Sequence, residues 1–270
     1  MEYRISVLMG IYNCAPTLKE ALDSLLAQTY QGFKVIMCDD GSKDNTYEVA
    51  KAYADKYENF ILVKNDKNMG LNYTLNHCLS LADTEFCARM DGDDLSLPSR
   101  FDKEINFLDA HPEYAIVSTP MIHFDENGEF GRGKVDEGEP SKSKFNYGSP
   151  FCHAPCMVRK EAYDKVEGYT VDPKLLRVED YHLWMKMYAV GCKGYNLGEH
   201  LYMMRDDRNA FARRNVKARM NGIYAHWLAY KTLHLSFLGF VKYAIGNIIR
   251  AYAPTFIYNY FHKKRIKVQE

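Results

Sequence analysis

Residues 89–94 read Arg-Met-Asp-Gly-Asp-Asp, three carboxylates within four positions, directly after the apolar run Phe86-Cys87-Ala88. With that run as the end of a buried strand, Asp91 and Asp93 point the same way, because side chains alternate faces along a strand. Gly92 lets the backbone between them turn tightly or approach a ligand closely. Short hard-oxygen side chains crowded in this way repel one another unless a cation sits between them. Mg²⁺ typically accepts one or two carboxylates together with substrate phosphates and water, so the pattern points to a metal shared with a phosphorylated ligand. The competing reading is an acidic loop in which Asp94 caps the stretch Leu95-Ser96-Leu97-Pro98.

A second acidic pair, Glu179-Asp180, opens an apparent helix whose inward face is Tyr181, Trp184, Met187 and Tyr188. Acids in a first helical turn are often there only to complement the helix dipole. Cys152-His153-Ala154-Pro155-Cys156 resembles half a zinc site, but no second ligand pair is spaced to complete a tetrahedron, so zinc is not expected.

The elements that must position these groups alternate. Arg4–Met9 is an apolar strand, followed by a helix with Leu18, Ala21, Leu22, Leu25 and Leu26 on one stripe and Thr17 and Glu20 spaced as a capping box. Strands over Phe33–Cys38, Phe60–Val63 and Thr84–Met90 alternate with helices starting near Asp44 or Asn45 and over Leu71–Ala82. Such alternation implies an α/β fold with right-handed crossovers, a mainly parallel sheet and helices on both faces. Beyond Arg100 come a helix through Phe101, Ile105 and Leu108, a strand over Ala115–Thr119, and another over Pro155–Arg159. The polar stretch from the Asp125-Glu126-Asn127-Gly128 turn to Ser149 is expected to be a substrate-covering loop or a plain exposed insertion.

Ligands of open parallel sheets sit beyond the carboxyl ends of the strands. Three polar clusters fall there: Tyr12-Asn13 after strand one, Asp39-Asp40 after strand two, and Asp91–Asp94 after strand four. No Gly-x-Gly-x-x-Gly follows strand one and no Gly-Lys-Ser/Thr loop occurs, which removes the main support for dinucleotide dehydrogenases and P-loop NTPases.

At 270 residues and 47% hydrophobic content, the chain can bury a large core as one elaborated domain or as a domain with an appendage. Seven cysteines, an odd number without a secretory signal, suggest reduced thiols and a cytoplasmic setting. The net charge of zero conceals an asymmetry. Of 35 basic and 35 acidic residues, residues 208–270 hold twelve basic and one acidic, leaving 23 and 34 in residues 1–207. The same tail carries Trp227, Phe237, Phe240, Ile245, Ile248, Ile249, Tyr258 and Phe261, yet its stretches without Lys or Arg, the longest being 220–230 and 251–262, with 232–241 between them, fall well below the roughly 20 residues that span a bilayer. A basic, aliphatic-rich segment is expected to lie on the inner leaflet of an anionic membrane rather than on nucleic acid. The alternative is a helical extension packed on the acidic body or on a second subunit of a homodimer.

Taken together, the residues resemble glycosyltransferase family 2, the inverting nucleotide-sugar enzymes of the GT-A fold, of the kind that build bacterial capsule and exopolysaccharide. The correspondence runs from about Ile5 to Arg205. It rests on an ordered series: Ser6–Asn13, Asp39–Thr46, Asn68-Met69-Gly70, Ala88–Asp94 and Glu179–Trp184. The resemblance implies a catalytic domain over residues 1–207, with a nucleotide-sugar half (1–100) and an acceptor half (101–207), while the composition of the tail makes residues 208–270 an expected amphipathic, membrane-associating extension. It implies that Tyr12 and Asp40 hold the base, uridine for preference, by ring contact and by accepting a base N–H, with Asn68 and Gly70 also on the donor side. Asp91 and Asp93 correspond to the family's Asp-x-Asp pair, Asp93 as direct ligand of Mn²⁺ or Mg²⁺ and Asp91 nearer the sugar or ribose, with Asp94 supporting the loop. Arg89 would approach the donor phosphates or pair with an aspartate. Asp180 corresponds to the general base, with Glu179 beside it. Inversion needs such a base opposite the leaving nucleotide, close enough to take the acceptor hydroxyl proton.

His153 sits where relatives carry a His-Pro segment, here interrupted by Ala154, and Arg205 would either bind diphosphate or pair with Asp206 or Asp207. The implied acceptor is a glycan, lipid-linked through a polyprenyl carrier. The rival functions are a metal-dependent phosphohydrolase or nucleotidyltransferase, which also suits clustered aspartates, and a non-catalytic nucleotide-sugar-binding module. A glycosidase needs two carboxylates but no metal and no base-binding Asp40.

Overall fold

Strand β1 (Ile5–Ile11) buries six of its seven residues, and the main sheet grows outward from it. It pairs in parallel with β2 (Phe33–Asp39), Ile5 opposite Phe33, and β3 (Phe60–Lys64) extends that edge in parallel. On its other side lies β4 (Phe86–Arg89), again parallel. Two further strands, β5 (Leu95–Ser96) and β11 (Tyr202–Arg205), belong to a second, four-stranded sheet with the hairpin β7 (Met121–Asp125) and β8 (Gly128–Arg132). The main sheet continues past β4 with β9 (Met157–Arg159), then β6 (Ile116–Ser118) and β10 (Gly194–Asn196). Only β9 runs against its neighbours. The computed structural model describes residues 2–205 and 216–252. The Asp206-Asp207 pair and the tail aromatics Tyr258 and Phe261 lie outside them.

Period-two alternation explains why helices cover both faces. Ile5, Val7, Met9 and Ile11 join the core under α1 (Ala15–Leu26), α2 (Thr46–Lys56) and α4 (Arg100–Ala110), whereas Leu8 points into the opposite core. That second core is closed by α3 (Leu71–Ser80), α5 (Lys160–Lys165), α6 (Glu179–Ala189) and α7 (Val216–Leu233). The α/β architecture expected from the alternation, a mainly parallel sheet with helices on both faces, is therefore the architecture found, with a helical C-terminal region of α7 and α8 (Phe237–Tyr252).

Two local expectations are corrected. The first helix starts at Ala15, and Thr17 lies inside it, its hydroxyl donating to the carbonyls of Cys14 and Gly92. Pro16 sits within the first helical positions, where its missing N–H costs nothing. The stretch from Asp125 to Ser149 is not a plain loop. It closes the β7–β8 hairpin and then forms a short 3₁₀ helix, Lys142–Asn146, pinned by fully buried Phe145 against Tyr181 and Tyr188.

Helix α7 buries Asn221, Gly222, Ala225, His226, Ala229 and Leu233, a spacing of three and four that gives one helical face, and its Ala225, Ala229 and Leu233 join the α6 core. Helix α8 differs. Leu238, Ile245, Ile248 and Ile249 on it are each about half exposed or more. No helix among the described residues is long and apolar enough to cross a membrane.

Candidate active site

The carboxyl ends of β1, β2 and β4 meet at one rim of the main sheet. Tyr12, just past β1, is 45% exposed and free to meet a planar ligand. The adjoining turn is fixed by Asn13, whose side chain accepts from the Lys43 amide at 2.8 Å while its own amide donates to Ser42. Asp40 is buried. Its Oδ1 accepts from Met69 N and Asn65 Nδ2, both at 2.8 Å, and its Oδ2 from Gly70 N at 2.9 Å. The carboxylate expected to receive a base N–H is thus already a brace for the Asn68–Gly70 segment, with one oxygen carrying a single donor. Gly41, at φ +73°, is obligatory here: a Cβ would meet the Lys67 carbonyl carbon at 2.8 Å. Asn68 itself is exposed on this rim.

The acidic loop after β4 is held from several sides. A Cβ on Gly92 would meet Cys14 Sγ at 2.7 Å, so the glycine lets the loop lie against the end of β1. Asp94 is buried and both its oxygens are used, one by the Tyr202 hydroxyl at 2.9 Å and one by the Arg205 amide at 2.7 Å. Burial, then the charges of Asp91 and Asp93, push its carboxyl well above the usual carboxylate range. Arg205 donates from Nε to the Asp93 carbonyl at 2.9 Å and pairs with Glu20 at 2.5 Å. Its paired acid is therefore Glu20 on α1; Asp206 and Asp207, the partners expected from sequence, lie outside the described residues. Beneath the loop, fully buried Arg100 donates to the carbonyls of Arg89 and Cys156 and sits over the Tyr202 ring.

Asp91 and Asp93 remain half-buried at the surface of this loop. Their hard oxygen donors suit Mg²⁺ or Mn²⁺, although Asp91 Oδ1 already accepts from Arg89 Nη2 at 2.6 Å. Among the described residues no group of three or more His, Cys, Asp and Glu forms a closed cage. A divalent ion bound here would draw its remaining ligands from phosphate and water, the habit of Mg²⁺ in nucleotide sites.

Arg89 links this loop to the acids of α6. Its guanidinium is 3% exposed, with Nε and Nη1 buried and unpartnered. Asp180 is shifted upward by burial, opposed by the Tyr181 amide, the Ser149 hydroxyl and the Arg89 charge. Glu179 is also shifted upward, by burial and by Asp180, again opposed by Arg89, and its Oε2 is buried without a partner. His153 bonds the Tyr169 hydroxyl at 2.7 Å, and burial together with Arg89 holds its imidazole well below its usual range, hence neutral. One buried cation therefore acts on Asp91, Glu179, Asp180 and His153 at once.

Sequence reasoning missed three residues. Asn65 joins Asp40 to Thr74 and His77; its position just past β3, at the same rim, was the available signal. Tyr202 also accepts from the Asp91 amide at 3.2 Å, and nothing in the run Leu201–Met204 distinguishes it from a core tyrosine. Glu20 reads as a helix-capping acid.

A family model for glycosyl transferase family 2 matches residues 6–167. EpsE of Bacillus subtilis (strain 168) is 40% identical over 268 residues, 99% of this chain and 96% of its own. The Escherichia coli UDP-Gal:alpha-D-GlcNAc-diphosphoundecaprenol beta-1,3-galactosyltransferase is 29% identical over 98% of this chain and 97% of its own. Among solved structures, the mannosyltransferase PcManGT of Pyrobaculum calidifontis, in complex with GDP-Man and Mn²⁺, superposes with a TM-score of 0.66 at 18% identity, covering 98% of this chain and 80% of that one. The chain belongs to glycosyl transferase family 2.

Proposed function

We propose that this glycosyltransferase moves a sugar, with inversion, from a UDP-sugar to a hydroxyl of a polyprenyl-linked glycan in surface polysaccharide synthesis. The observation that carries the reading is Arg89, whose charge reaches both the Asp91 carboxylate and the Glu179-Asp180 pair. Tyr12 offers a face for the base, while Asp40 holds the Asn68–Gly70 backbone against it. Asp91 and Asp93 would hold Mg²⁺ or Mn²⁺, which when bound neutralises charge growing on the leaving diphosphate. Mn²⁺ accompanies GDP-Man in the mannosyltransferase, and the galactosyltransferase is named for UDP-Gal and a diphosphoundecaprenol acceptor.

On the opposite side of the sugar, Asp180 accepts the acceptor O–H proton. The new O–C1 bond forms as C1–O to the nucleotide breaks, and UDP leaves with the bonding pair. Burial makes Asp180 a stronger base than a surface aspartate, and Ser149 and the Tyr181 amide orient it. Residues 1–207 hold the groups that carry out this chemistry, and α8 with the basic tail holds the enzyme at the cytoplasmic face of the membrane.

The test is UDP release from a panel of nucleotide sugars with Mn²⁺ and a polyprenyl diphosphate-linked acceptor, with product analysis. Expected are acceptor-dependent UDP release and a product of inverted anomeric configuration, both abolished in Asp180→Asn while donor binding persists. Formation of a sugar phosphate, or full transfer by Asp180→Asn, would overturn the reading.

A further inference from the structure

The C-terminal helices grip the turn that delivers Asp180. Buried Asn221 of α7 donates from Nδ2 to the Leu176 carbonyl at 3.0 Å and the Pro173 carbonyl at 3.3 Å, straddling a one-turn 3₁₀ helix, Pro173–Leu175. The same turn is touched again where Lys174 Nζ lies 5.5 Å from the Tyr224 ring centroid. Arg177, which follows, has φ +70°. A residue other than glycine holds such left-handed backbone only where its surroundings over-determine it. Val178, Glu179 and Asp180 come next, so whatever fixes this turn fixes the start of α6.

A second contact arrives from the same pair of helices. Tyr181, next to Asp180, stacks on His226 of α7 with centroids 4.3 Å apart and planes 14° apart, and its hydroxyl donates to the Phe145 carbonyl. His226 in turn stacks on Tyr243 of α8 with planes 9° apart. Burial holds the His226 imidazole down at about 4, so at neutral pH it is an uncharged flat ring between two phenols. Three stacked rings therefore run from α8 through α7 to the first turn of α6.

From these contacts we infer that Asn221 and His226 are positioning residues for the catalytic base, and that α7 and α8 form part of the frame of the active site. The inference rests on Asp180 being that base. Loss of the Asn221 bonds frees Arg177 to relax, and loss of the imidazole leaves Tyr181 without its stack. Either change moves Asp180 relative to the acceptor hydroxyl. The donor side, held by Asp40, Asp91 and Asp93 on other elements, is untouched. A purely structural role would instead degrade donor binding and turnover together.

The test combines steady-state kinetics of the full chain, using a UDP-sugar and a polyprenyl diphosphate-linked acceptor, with amide hydrogen exchange over residues 173–181. Asn221→Ala and His226→Ala are each expected to lower kcat by about tenfold or more, since misplacement by about 1 Å costs on the order of 10²-fold. Donor KM should stay within about twofold, and residues 173–181 should exchange faster. His226→Phe keeps a flat ring and is expected to hold kcat within about threefold of the parent. Asn221→Ser serves as the gentler variant if Asn221→Ala folds poorly. The inference is overturned if both alanine variants keep kcat within about twofold, or if donor KM rises in step with the loss. It is also overturned if exchange over 173–181 is unchanged. Exchange requires no turnover: an inactive parent whose variants still loosen 173–181 would remove the role of Asp180 while leaving the grip in place.

Discussion

Arg89 and Asp91 form a 2.6 Å ion pair in which the cation is 3% exposed and the acid 33%. Two of the three guanidinium nitrogens of Arg89 are buried without a partner, an arrangement that costs stability. What the same cation does instead is act on its neighbours, opposing the upward shifts of Glu179 and Asp180 and helping to hold His153 neutral.

Arg89→Met should therefore lower activity as well as stability. Replacing a whole buried ion pair by apolar groups is often neutral or stabilising, whereas removing one partner costs about 3–5 kcal/mol where the other charge stays buried. The partly exposed Asp91 can turn to water. Thermal denaturation is expected to show a lower midpoint, because Glu179 and Asp180 also lose the Arg89 charge, and UDP release a fall of about 100-fold or more, as for loss of a preorganised electrostatic group. A destabilised variant with normal turnover would contradict this.

Asp180 and pH form the second case. Because burial raises its carboxyl, the acid limb of kcat should fall above the ordinary aspartate value of about 3.9. The sign for stability follows from the same shift. Below the unfolded value the carboxyl is protonated in both states and costs nothing. As pH rises from the unfolded value through the folded value, the unfolded chain gives up its proton while half-buried Asp180 keeps it, and stability is lost. Asp180→Asn should thus be more stable than the parent at neutral pH, with the difference vanishing in acid. Equal midpoints at pH 7 and pH 3 would refute the assignment of a desolvated carboxylate.

Tyr202→Phe tests the scaffold beneath the metal loop. The hydroxyl donates to Asp94 and accepts from the Asp91 amide, so its removal leaves a buried carboxylate and a half-buried amide short of a partner. A loss of about 1–3 kcal/mol is expected from chemical denaturation. Donor affinity measured with Mn²⁺ should weaken, because the loop bearing Asp91 and Asp93 loses its tether to β11. An effect on stability without any on donor affinity would confine Tyr202 to the fold.

Much of this arrangement was legible in the chain. Strict alternation of apolar strand and amphipathic helix through Met90 dictates the parallel sheet, and polar residues at strand ends mark its rim. Asp91–Asp94 stood out because charge rarely concentrates at the end of a core strand. The division of labour among those acids did not, since it depends on Tyr202 and Arg205, more than a hundred residues away. Asp40 was found for its position, but its three donors come from residues whose own sequence signals are those of a turn. The packing of helix α7 on the body was only an alternative in the sequence, for a different reason. Its buried face uses Asn, Gly, Ala and His as well as Leu, so its pattern resembles a solvated or interfacial helix until the packing partner α6 is known.

Asp93→Ala addresses the metal directly. Its half-buried carboxylate lies on the loop held by Arg205 and Gly92. If Asp93 ligates a divalent ion together with donor phosphate, the parent should bind a UDP-sugar more tightly with Mn²⁺ than with EDTA, by calorimetry. The variant should bind equally weakly in both. Donor binding by the parent that ignores EDTA would remove the ion from the proposed mechanism.

Helix α8 carries the last prediction. Leu238 is 60% exposed, Ile245 53%, Ile248 48% and Ile249 63%, and the helix contains Lys242 and no acid. Fully burying one such aliphatic side chain contributes about 1.5–3 kcal/mol, and each basic residue near an anionic surface adds about 1 kcal/mol. Together these suffice for reversible attachment to anionic lipid. Truncation at Arg205 is a poor test, because it would also strip Ala225, Ala229 and Leu233 from the core. The double change Ile245→Glu with Ile249→Glu touches only exposed positions, so its thermal midpoint should match that of the parent. Flotation with vesicles containing anionic phospholipid should recover the parent and leave the variant behind, with weaker recovery of the parent on neutral vesicles. Equal flotation of the two proteins would mean that this face meets something other than a bilayer, and the membrane assignment of α8 would fall while the chemistry around Arg89 stood.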